Sequence, residues 1–164
     1  MIEQELNVTI RPSTIGDYDI ISEIFKEGDT LHYDAISNLF ELPSKSKRDK
    51  AYIENILNDP DAELFIVEID GQAVGHLHVF IRKQLAVPPI KERQLAHIES
   101  IVIVKAFQHQ GIGRTLLRKA EEWAIQKGMT EIELGVFEFN VRAISIYEKL
   151  GYETISRKME KKLR

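Results

Sequence analysis

Cysteine is absent from this 164-residue sequence, and its absence excludes several kinds of chemistry. Without cysteine the chain has no disulfide framework and no cysteine-ligated zinc. It also has no thiol nucleophile that could carry an acyl group between two substrates. If the protein transfers an acyl group, we therefore expect the transfer to be direct.

Long apolar runs are missing as well. No stretch approaches the roughly 20 apolar residues of a membrane-spanning helix, and residues 1–5 lack the basic and apolar pattern of a signal peptide. We therefore expect a cytoplasmic protein with no membrane span. The length suits one domain with a sizeable core and is too short for two, so residues 1–164 are predicted to form a single domain.

An excess of positive charge is also lacking. The chain has 22 lysines and arginines against 26 acidic residues, a net charge of −4. This balance argues against a general nucleic-acid-binding surface and suits a cationic amine as a partner. His76 and His78 lie two positions apart, but no other ligand cluster completes a metal site, so no metal is expected.

One stretch has a pattern suited to binding an anion. It is a hexapeptide with two glycines in its second half, and its residues are Gln108, His109, Gln110, Gly111, Ile112 and Gly113. It lies between an apolar run, residues 98–104, and a helical pattern, residues 114–127. Glycines let the backbone approach a phosphate, and the free N–H groups and dipole of the following helix favour negative charge.

The residues of this turn leave several interpretations open. A dinucleotide-binding turn would have a third glycine where Leu116 stands. A nucleotide-triphosphate loop would have a lysine where Arg114 stands. An ordinary strand-to-helix turn remains a further alternative.

Periodicity gives a coarse secondary structure around the turn. The predicted strands are 8–11, 64–69, 73–81, 95–104, 131–136 and 152–159, and the main predicted helices are 17–31, 51–57, 114–127 and 141–150. Asp70-Gly71 predicts a hairpin turn, and the helical pattern that begins at Asp17 fades near Gly28. Strand, helix and strand from 95 to 136 predict a parallel, right-handed unit with the turn at the ligand-binding edge.

The strand before the turn carries two polar side chains. Strict alternation would place His97 and Glu99 on the face that also carries Ile101 and Ile103. A glutamate on a covered strand is costly unless it is used or paired.

A second motif, downstream, gives a specific resemblance. Asn140, Ala143 and Tyr147 are followed by Gly151-Tyr152. Together with the Gln-x-x-Gly-x-Gly turn, this helix resembles the GCN5-related N-acetyltransferase family over nearly the whole chain. The resemblance implies an α/β fold: a central mixed, mostly antiparallel sheet flanked by helices, with two central strands that splay near Phe137.

The resemblance also implies acetyl-CoA as cosubstrate and a primary amine as acceptor. It places CoA against the following residues: Ile101, Val102, Ile103, Gln108, His109, Gln110, Gly111, Ile112, Gly113, Arg114, Asn140 and Tyr147. The N–H of Ile103 would stabilise the charge that develops on the thioester oxygen.

The chemistry needs a base, because a lysine-like amine with a pKa near 10.4 is mostly protonated at neutral pH. Glu99 is the first candidate, and His97, with an unperturbed pKa near 6.5, is the second. The alternative for Glu99 is a structural ion pair with Arg82 or Arg93.

Tyr147 matches the family's proton donor to the leaving sulfur. Full proton transfer from tyrosine to a thiolate would be uphill by about 2 kcal/mol, so a hydrogen bond is the better description. The alternative is a core tyrosine on an apolar helix face.

The acceptor side is the least defined. The resemblance places His32 and its acidic neighbours, Asp29 and Asp34, near the acceptor, together with Glu99. A solvated helix end is the alternative for His32 and these neighbours. The acceptor stays open between a protein amine, a polyamine and a metabolite or antibiotic. A non-catalytic acyl-CoA sensor, a different nucleotide-binding domain, a homodimer, and a lid or dimer contact at Val87–Ile90 also stay open.

Overall fold

The computed structural model describes residues 7–44 and 48–163 and contains a five-stranded sheet. The strands are β1 (Val8–Pro12), β2 (Ala62–Ile69), β3 (Gln72–Gln84), β4 (Arg93–Ile103) and β5 (Ile132–Leu134). The helices are α1 (Tyr18–Ala35), α2 (Lys50–Asn58), α3 (Ile112–Gln126) and α4 (Val141–Lys149), with short 3₁₀ turns at Ile15–Asp17 and Lys105–Phe107. The expectation drawn from residues 1–5 lies outside the described residues.

The sheet is mixed, as predicted. The strands lie in chain order from β1 to β5. The pairs β1–β2, β2–β3 and β3–β4 are antiparallel, and β4–β5 is parallel. The predicted hairpin is confirmed, since Asp70 and Gly71, both with positive φ (50° and 79°), connect β2 to β3.

Two apolar cores hold helices against opposite faces of the sheet. On one face α1 and α2 bury Ile21, Phe25 and Ile53 against β2. On the other face α3 buries Leu116 and Trp123 with residues of β2, β3 and β4. The amphipathic pattern of each helix accounts for this arrangement, because most of the large apolar residues of each helix lie on one side.

A β-bulge at Glu99 overturns the predicted faces of β4. In the pairing with β3, Val79 lies opposite Ile98 and His78 opposite Ser100, so Glu99 is the extra residue. The bulge shifts the alternation by one position. His97 therefore shares a face with Ser100 and Val102, not with Ile101 and Ile103, which pack on the opposite face with α3.

Helix α1 continues past Gly28, where its sequence pattern fades, to Ala35. A Cβ at Gly28 would lie 2.8 Å from Val102 Cγ2, so glycine allows the helix to pack closely on β4. The glycine that weakens the helical pattern is thus the contact point with the sheet. Asp29 lies inside this helix, so a solvated helix end is wrong for it, whereas His32 lies in the last turn of the helix and is half-buried.

The strand predicted at 152–159 is wrong within the described part of the chain. After β5, residues up to 163 form no strand. Ile155, Met159 and Leu163 are 77%, 86% and 84% exposed, so their apolar side chains find no covering layer here. The loop between β3 and β4 is also shorter than predicted, because those strands extend to Gln84 and Arg93.

Candidate active site

A cleft opens where β4 and β5 separate. The two strands pair only from Ala96 opposite Ile132 to Ile98 opposite Leu134, whereas β4 continues to Ile103. The predicted splay is present, and the pairing ends three residues before Phe137. The cleft has a volume of about 720 Å³.

The cleft brings most of the predicted CoA-binding and acceptor residues together. The predicted residues that line it are His32, Asp34, Ile101, Val102, Ile103, Gln108, His109, Gly111, Ile112, Gly113, Arg114, Asn140 and Tyr147. Among the predicted residues, Gln110, Asp29, Glu99 and His97 are not part of the lining.

Sequence reasoning missed several lining residues. They are Glu27, Gly28, Thr30, Leu31, Lys105, Leu117, Arg142, Ala143 and Ile146. Extending the helical periodicity of α1 through Gly28 would have found Glu27 and Leu31, which lie one turn apart on the face that also carries Asp34. Lys105 and Arg142 lie close to the two motifs in sequence and could have been found as their basic neighbours.

The glycine turn leaves its helix terminus open. Gly111 caps α3 in the left-handed conformation, with φ of 82°, and no side chain caps the first turn of the helix. A Cβ at Gly111 would meet no atom within 4 Å, so the backbone faces open space. Free N–H groups at such a terminus are suited to an anion.

Cationic side chains surround this turn. Lys105, Arg114 and Arg142 line the same cleft. Arg142 donates to Nε2 of His109 at 2.8 Å, and this contact joins α4 to the turn. The positive side chains and the helix dipole act in the same direction on a bound anion.

The backbone of β4 offers hydrogen bonds to the cleft. The N–H of Val104 donates to Val74 O of β3 at 2.9 Å. Since successive N–H groups of a strand point to opposite sides, the N–H of Ile103 points away from β3, toward the gap. The Ile103 carbonyl on that side accepts a hydrogen bond of 2.9 Å from Gln108 Nε2.

His97 is held by three charged neighbours. Its Nδ1 donates to Glu133 Oε1 at 3.0 Å, since a carboxylate can only accept. Its Nε2 accepts from Arg82 at 3.0 Å and lies 3.4 Å from Glu99 Oε2. Both ring nitrogens are therefore engaged, and the side chain is only 10% exposed.

Glu99 is accessible and free of the expected ion pairs. Its side chain is 49% exposed, because the bulge projects it from the strand. Arg82 pairs with Glu133 at 2.7 Å, and Arg93 with Glu131 at 3.0 Å. The structural alternative for Glu99, an ion pair with either arginine, is not formed. Glu133, which sequence reasoning missed, gave no signal beyond its place on β5.

The two remaining strand histidines are buried and neutral. His76 is fully buried, with Nε2 2.9 Å from Ser100 Oγ, and burial lowers its pKa to about 3. Burial also lowers the pKa of His78. Among the described residues no group of His, Asp or Glu side chains is arranged to hold a metal ion.

Tyr147 joins the cleft to the core. Asn140 caps α4, since its side-chain oxygen accepts a hydrogen bond of 3.2 Å from Ala143 N. This cap fixes where α4 begins, and Tyr147 lies on the same helix. The tyrosine packs against the core and also lines the cleft. Burial raises the pKa of its phenol above the ordinary value, so it stays protonated at neutral pH.

Asp29 and His32 differ in their surroundings. Asp29 accepts two hydrogen bonds from Arg48, at 2.7 and 3.1 Å, and is not part of the cleft lining. His32 lines the cleft, and its Nδ1 donates to Gly28 O at 2.8 Å. Of these two predicted acceptor residues, only His32 borders the cleft.

Comparison with known proteins decides the family. Residues 30–152 match the acetyltransferase (GNAT) family. The chain belongs to the GNAT family. The resemblance, the fold class and the class of enzyme, an acetyl-CoA-dependent acyltransferase, are thereby confirmed at the level of the family.

Relatives of this GNAT chain are distant in sequence. An uncharacterized N-acetyltransferase of Methanocaldococcus jannaschii is 28% identical over 88% of this chain, which spans only 60% of that protein's length. A thialysine N-epsilon-acetyltransferase of Sus scrofa is 24% identical over 88% of this chain and 84% of its own. An L-amino acid N-acetyltransferase of Escherichia coli is 24% identical over 89% of this chain and 83% of its own.

Solved structures share the fold of the GNAT chain. A tetramutant protein from Bacillus halodurans superposes with a TM-score of 0.87 at 18% identity, covering 94% of this chain and 99% of its own. An aminoglycoside N-acetyltransferase in complex with CoA gives a TM-score of 0.75 at 20% identity, covering 100% of this chain and 99% of its own. No helix in the described part of the chain is both long and apolar enough to cross a membrane.

Proposed function

We propose that this protein transfers the acetyl group of acetyl-CoA to a primary amine by direct attack. The observation that carries the proposal is the cleft beyond the point where β4 and β5 separate, which joins the open glycine turn, the main-chain N–H of Ile103 and the phenol of Tyr147. Glu99 lies on the same strand, four residues before Ile103.

The residues present fit CoA. The N–H groups at the start of α3 and the side chains of Arg114, Lys105 and Arg142 bind the phosphates, because all are positive and border one cleft. The edge of β4 at Ile101 to Ile103 pairs with the amide groups of the pantetheine arm. The bound cosubstrate supplies the thioester carbon that the amine attacks.

Glu99 acts as the base, directly or through a water molecule. Its exposed carboxylate can accept a proton from the ammonium form of the acceptor. His97 is less suited, because Arg82 already occupies its accepting nitrogen. With its ring proton on Nδ1, His97 also has no hydrogen to donate to Glu99, whose carboxylate lies 3.4 Å from Nε2.

Ile103 and Tyr147 stabilise the charges that develop during transfer. The Ile103 N–H donates to the oxygen that becomes negative when the amine adds. The Tyr147 phenol donates a hydrogen bond to the sulfur as it leaves. The raised pKa of Tyr147 makes complete proton transfer still less favourable than for free tyrosine, so the hydrogen bond is the operative contribution.

The acceptor is proposed to be a small amine. The relatives are named for thialysine and L-amino acids, and a structural neighbour is named for aminoglycosides. All of these acceptors are amines of low molecular mass. A homodimer remains a prediction.

The test is release of CoA thiol from acetyl-CoA with a mixed panel of amines, beside a calorimetric titration of acetyl-CoA. We expect acetyl-CoA binding and thiol release that depends on the amine. Binding without release on any amine would instead support a non-catalytic acyl-CoA sensor or scaffold. Binding of ATP or NAD without CoA would support the nucleotide-binding alternative.

A further inference from the structure

Four aromatic rings form a cluster at the rim of the cleft. They come from the end of α1 and the loop after it, and from the segment between β5 and α4: His32, Phe40, Phe137 and Phe139. The His32 ring lies 5.0 Å from Phe40, 5.6 Å from Phe137 and 5.9 Å from Phe139, centroid to centroid. The cluster therefore connects the two walls of the cleft.

The cluster is continuous with the cleft and leaves apolar surface open. His32 belongs to the lining, as does Asn140, the residue after Phe139. Phe137 stays 38% exposed although three rings contact it. Further exposed apolar side chains adjoin these residues in sequence: Leu31 (50%), Leu39 (58%), Val136 (39%) and Val141 (70%). Exposed apolar surface beside a cleft is typical of a ligand-binding site.

Carboxylates near the cluster are largely engaged. Asp29 is held by Arg48, and Glu138, between Phe137 and Phe139, pairs with Arg157 at 2.9 Å. Glu27 accepts a hydrogen bond of 3.0 Å from the main-chain N–H of Lys105.

The cleft as a whole is not acidic. Its described lining has two carboxylates, Glu27 and Asp34, and Glu27 already accepts a hydrogen bond from the main-chain N–H of Lys105. A polycationic acceptor would need an excess of carboxylates, and the lining does not provide one.

His32 offers one polar contact inside the aromatic surface. Its Nδ1 donates to the Gly28 carbonyl, so in the neutral ring Nε2 is a hydrogen-bond acceptor. An acceptor with a single amine and an apolar body would match one polar acceptor surrounded by rings.

We propose that the acceptor is a primary amine with an aromatic or bulky apolar body, which packs against the rings of His32, Phe40, Phe137 and Phe139. This proposal rests on the proposed function and narrows its acceptor. The rings select the body of the amine by burying it. They act on substrate binding, and they have no part in binding CoA.

The experiment compares 2-phenylethylamine with ethylamine, spermidine and kanamycin in steady-state thiol release. We expect kcat/KM for 2-phenylethylamine to exceed that for ethylamine by roughly 10- to 100-fold, the range for burying one ring. Phe137→Ala should remove most of this ratio and leave the acetyl-CoA dissociation constant unchanged. Phe137→Leu should retain part of it, and Leu85→Ala, on an exposed loop outside the cleft, should have no effect.

Equal efficiency for 2-phenylethylamine and ethylamine, or a preference for spermidine or kanamycin, would overturn the proposal. So would a Phe137→Ala variant that is slowed equally for every amine. Calorimetry of 2-phenylethylamine in the presence of CoA separates the two claims. Binding that Phe137→Ala abolishes, without thiol release by the wild type, would uphold the aromatic site and refute acetyl transfer.

Discussion

Glu99 owes its position to one extra residue in β4. Without the bulge opposite His78 and Val79, Glu99 would point to the face that α3 covers. The bulge instead places its carboxylate beside His97 on the other face, with about half its surface exposed. A single inserted residue thus decides whether this carboxylate is buried or available for proton transfer.

Replacing Glu99 tests this role. We expect Glu99→Gln to lower the turnover number by roughly 10²- to 10⁴-fold at neutral pH, because the amide cannot accept the proton. The loss should shrink at high pH, where more of the amine is already neutral. Steady-state kinetics across pH, with acetyl-CoA binding as control, provide the measurement. Unchanged activity across pH would remove Glu99 from the mechanism.

Tyr147 should contribute less to the turnover number than Glu99 does. Tyr147→Phe removes one hydrogen bond to the leaving sulfur and preserves the ring that packs on the core, so turnover should fall by roughly 10- to 100-fold. The folding stability of the variant should stay close to wild type, and thermal melting checks this. Wild-type turnover in the variant would show that Tyr147 serves only the core.

For single residues, the sequence analysis identified site residues but not the face of the sheet to which their side chains point. Tyr147 and the glycine turn were found through spacing in two motifs, and the structure brings them to one cleft. The faces of His97 and Glu99 were missed, because alternation assumes an unbroken strand. The contacts of His97 with Glu133 and Arg82 depend on strand pairing, which no local pattern reveals.

The glycine turn is the element on which CoA binding depends. Gly113 lies in the first turn of α3 and lines the cleft, so a side chain at this position would occupy space at the helix terminus. A Cβ at Gly113 would lie 3.3 Å from Ile103 Cδ1. That atom is the end of a flexible side chain, and Gly113 has no positive φ, so the fold should tolerate the change. Gly113→Val should therefore obstruct the phosphates more than it affects folding.

We expect Gly113→Val to weaken acetyl-CoA binding at least tenfold in calorimetry, with only a small change in melting temperature. Gly16→Val provides a matched control. Gly16 lies outside the cleft lining, and its Cβ would meet Thr14 Oγ1 at an ordinary 3.5 Å. Normal CoA binding by Gly113→Val would mean that the phosphates bind elsewhere.

The predicted helices and strands are correct where the sequence periodicity is strong. They are wrong where tertiary contacts determine the extent or the existence of an element. The hairpin at Asp70-Gly71 and the helix after the turn follow from local sequence. The full extent of α1 does not, because Gly28 lowers the helical signal and yet allows contact with Val102. The closing strand at 152–159 has strand-forming residues but no covering layer in the described chain.

For the whole molecule, the buried histidines of β3 make stability depend on pH. The pKa of His76 is lowered to about 3, and that of His78 is also lowered, so both stay neutral when folded. In the unfolded chain they take up protons below about pH 6.5. Their contribution is therefore complete above about pH 6.5 and is lost as the pH falls toward their folded values.

Between pH 6.5 and 4.5 we expect the free energy of unfolding to fall by up to about 1.4 kcal/mol per pH unit from His76 alone. Urea unfolding at several pH values measures this slope. His76→Phe keeps a ring beside Phe25 and removes the titration, so it should flatten the slope even if it lowers stability overall. A slope equal to wild type in that variant would contradict the assignment.

The central claim is that the cleft beyond the point where β4 and β5 separate holds acetyl-CoA with its pyrophosphate on the glycine turn. The most direct measurement is a crystal structure of the protein grown with CoA. We expect pyrophosphate oxygens within hydrogen-bonding distance of the main-chain N–H groups between Gly111 and Arg114, and the sulfur beside the Tyr147 hydroxyl. Density for CoA outside this cleft, or a pyrophosphate away from the turn, would contradict the account.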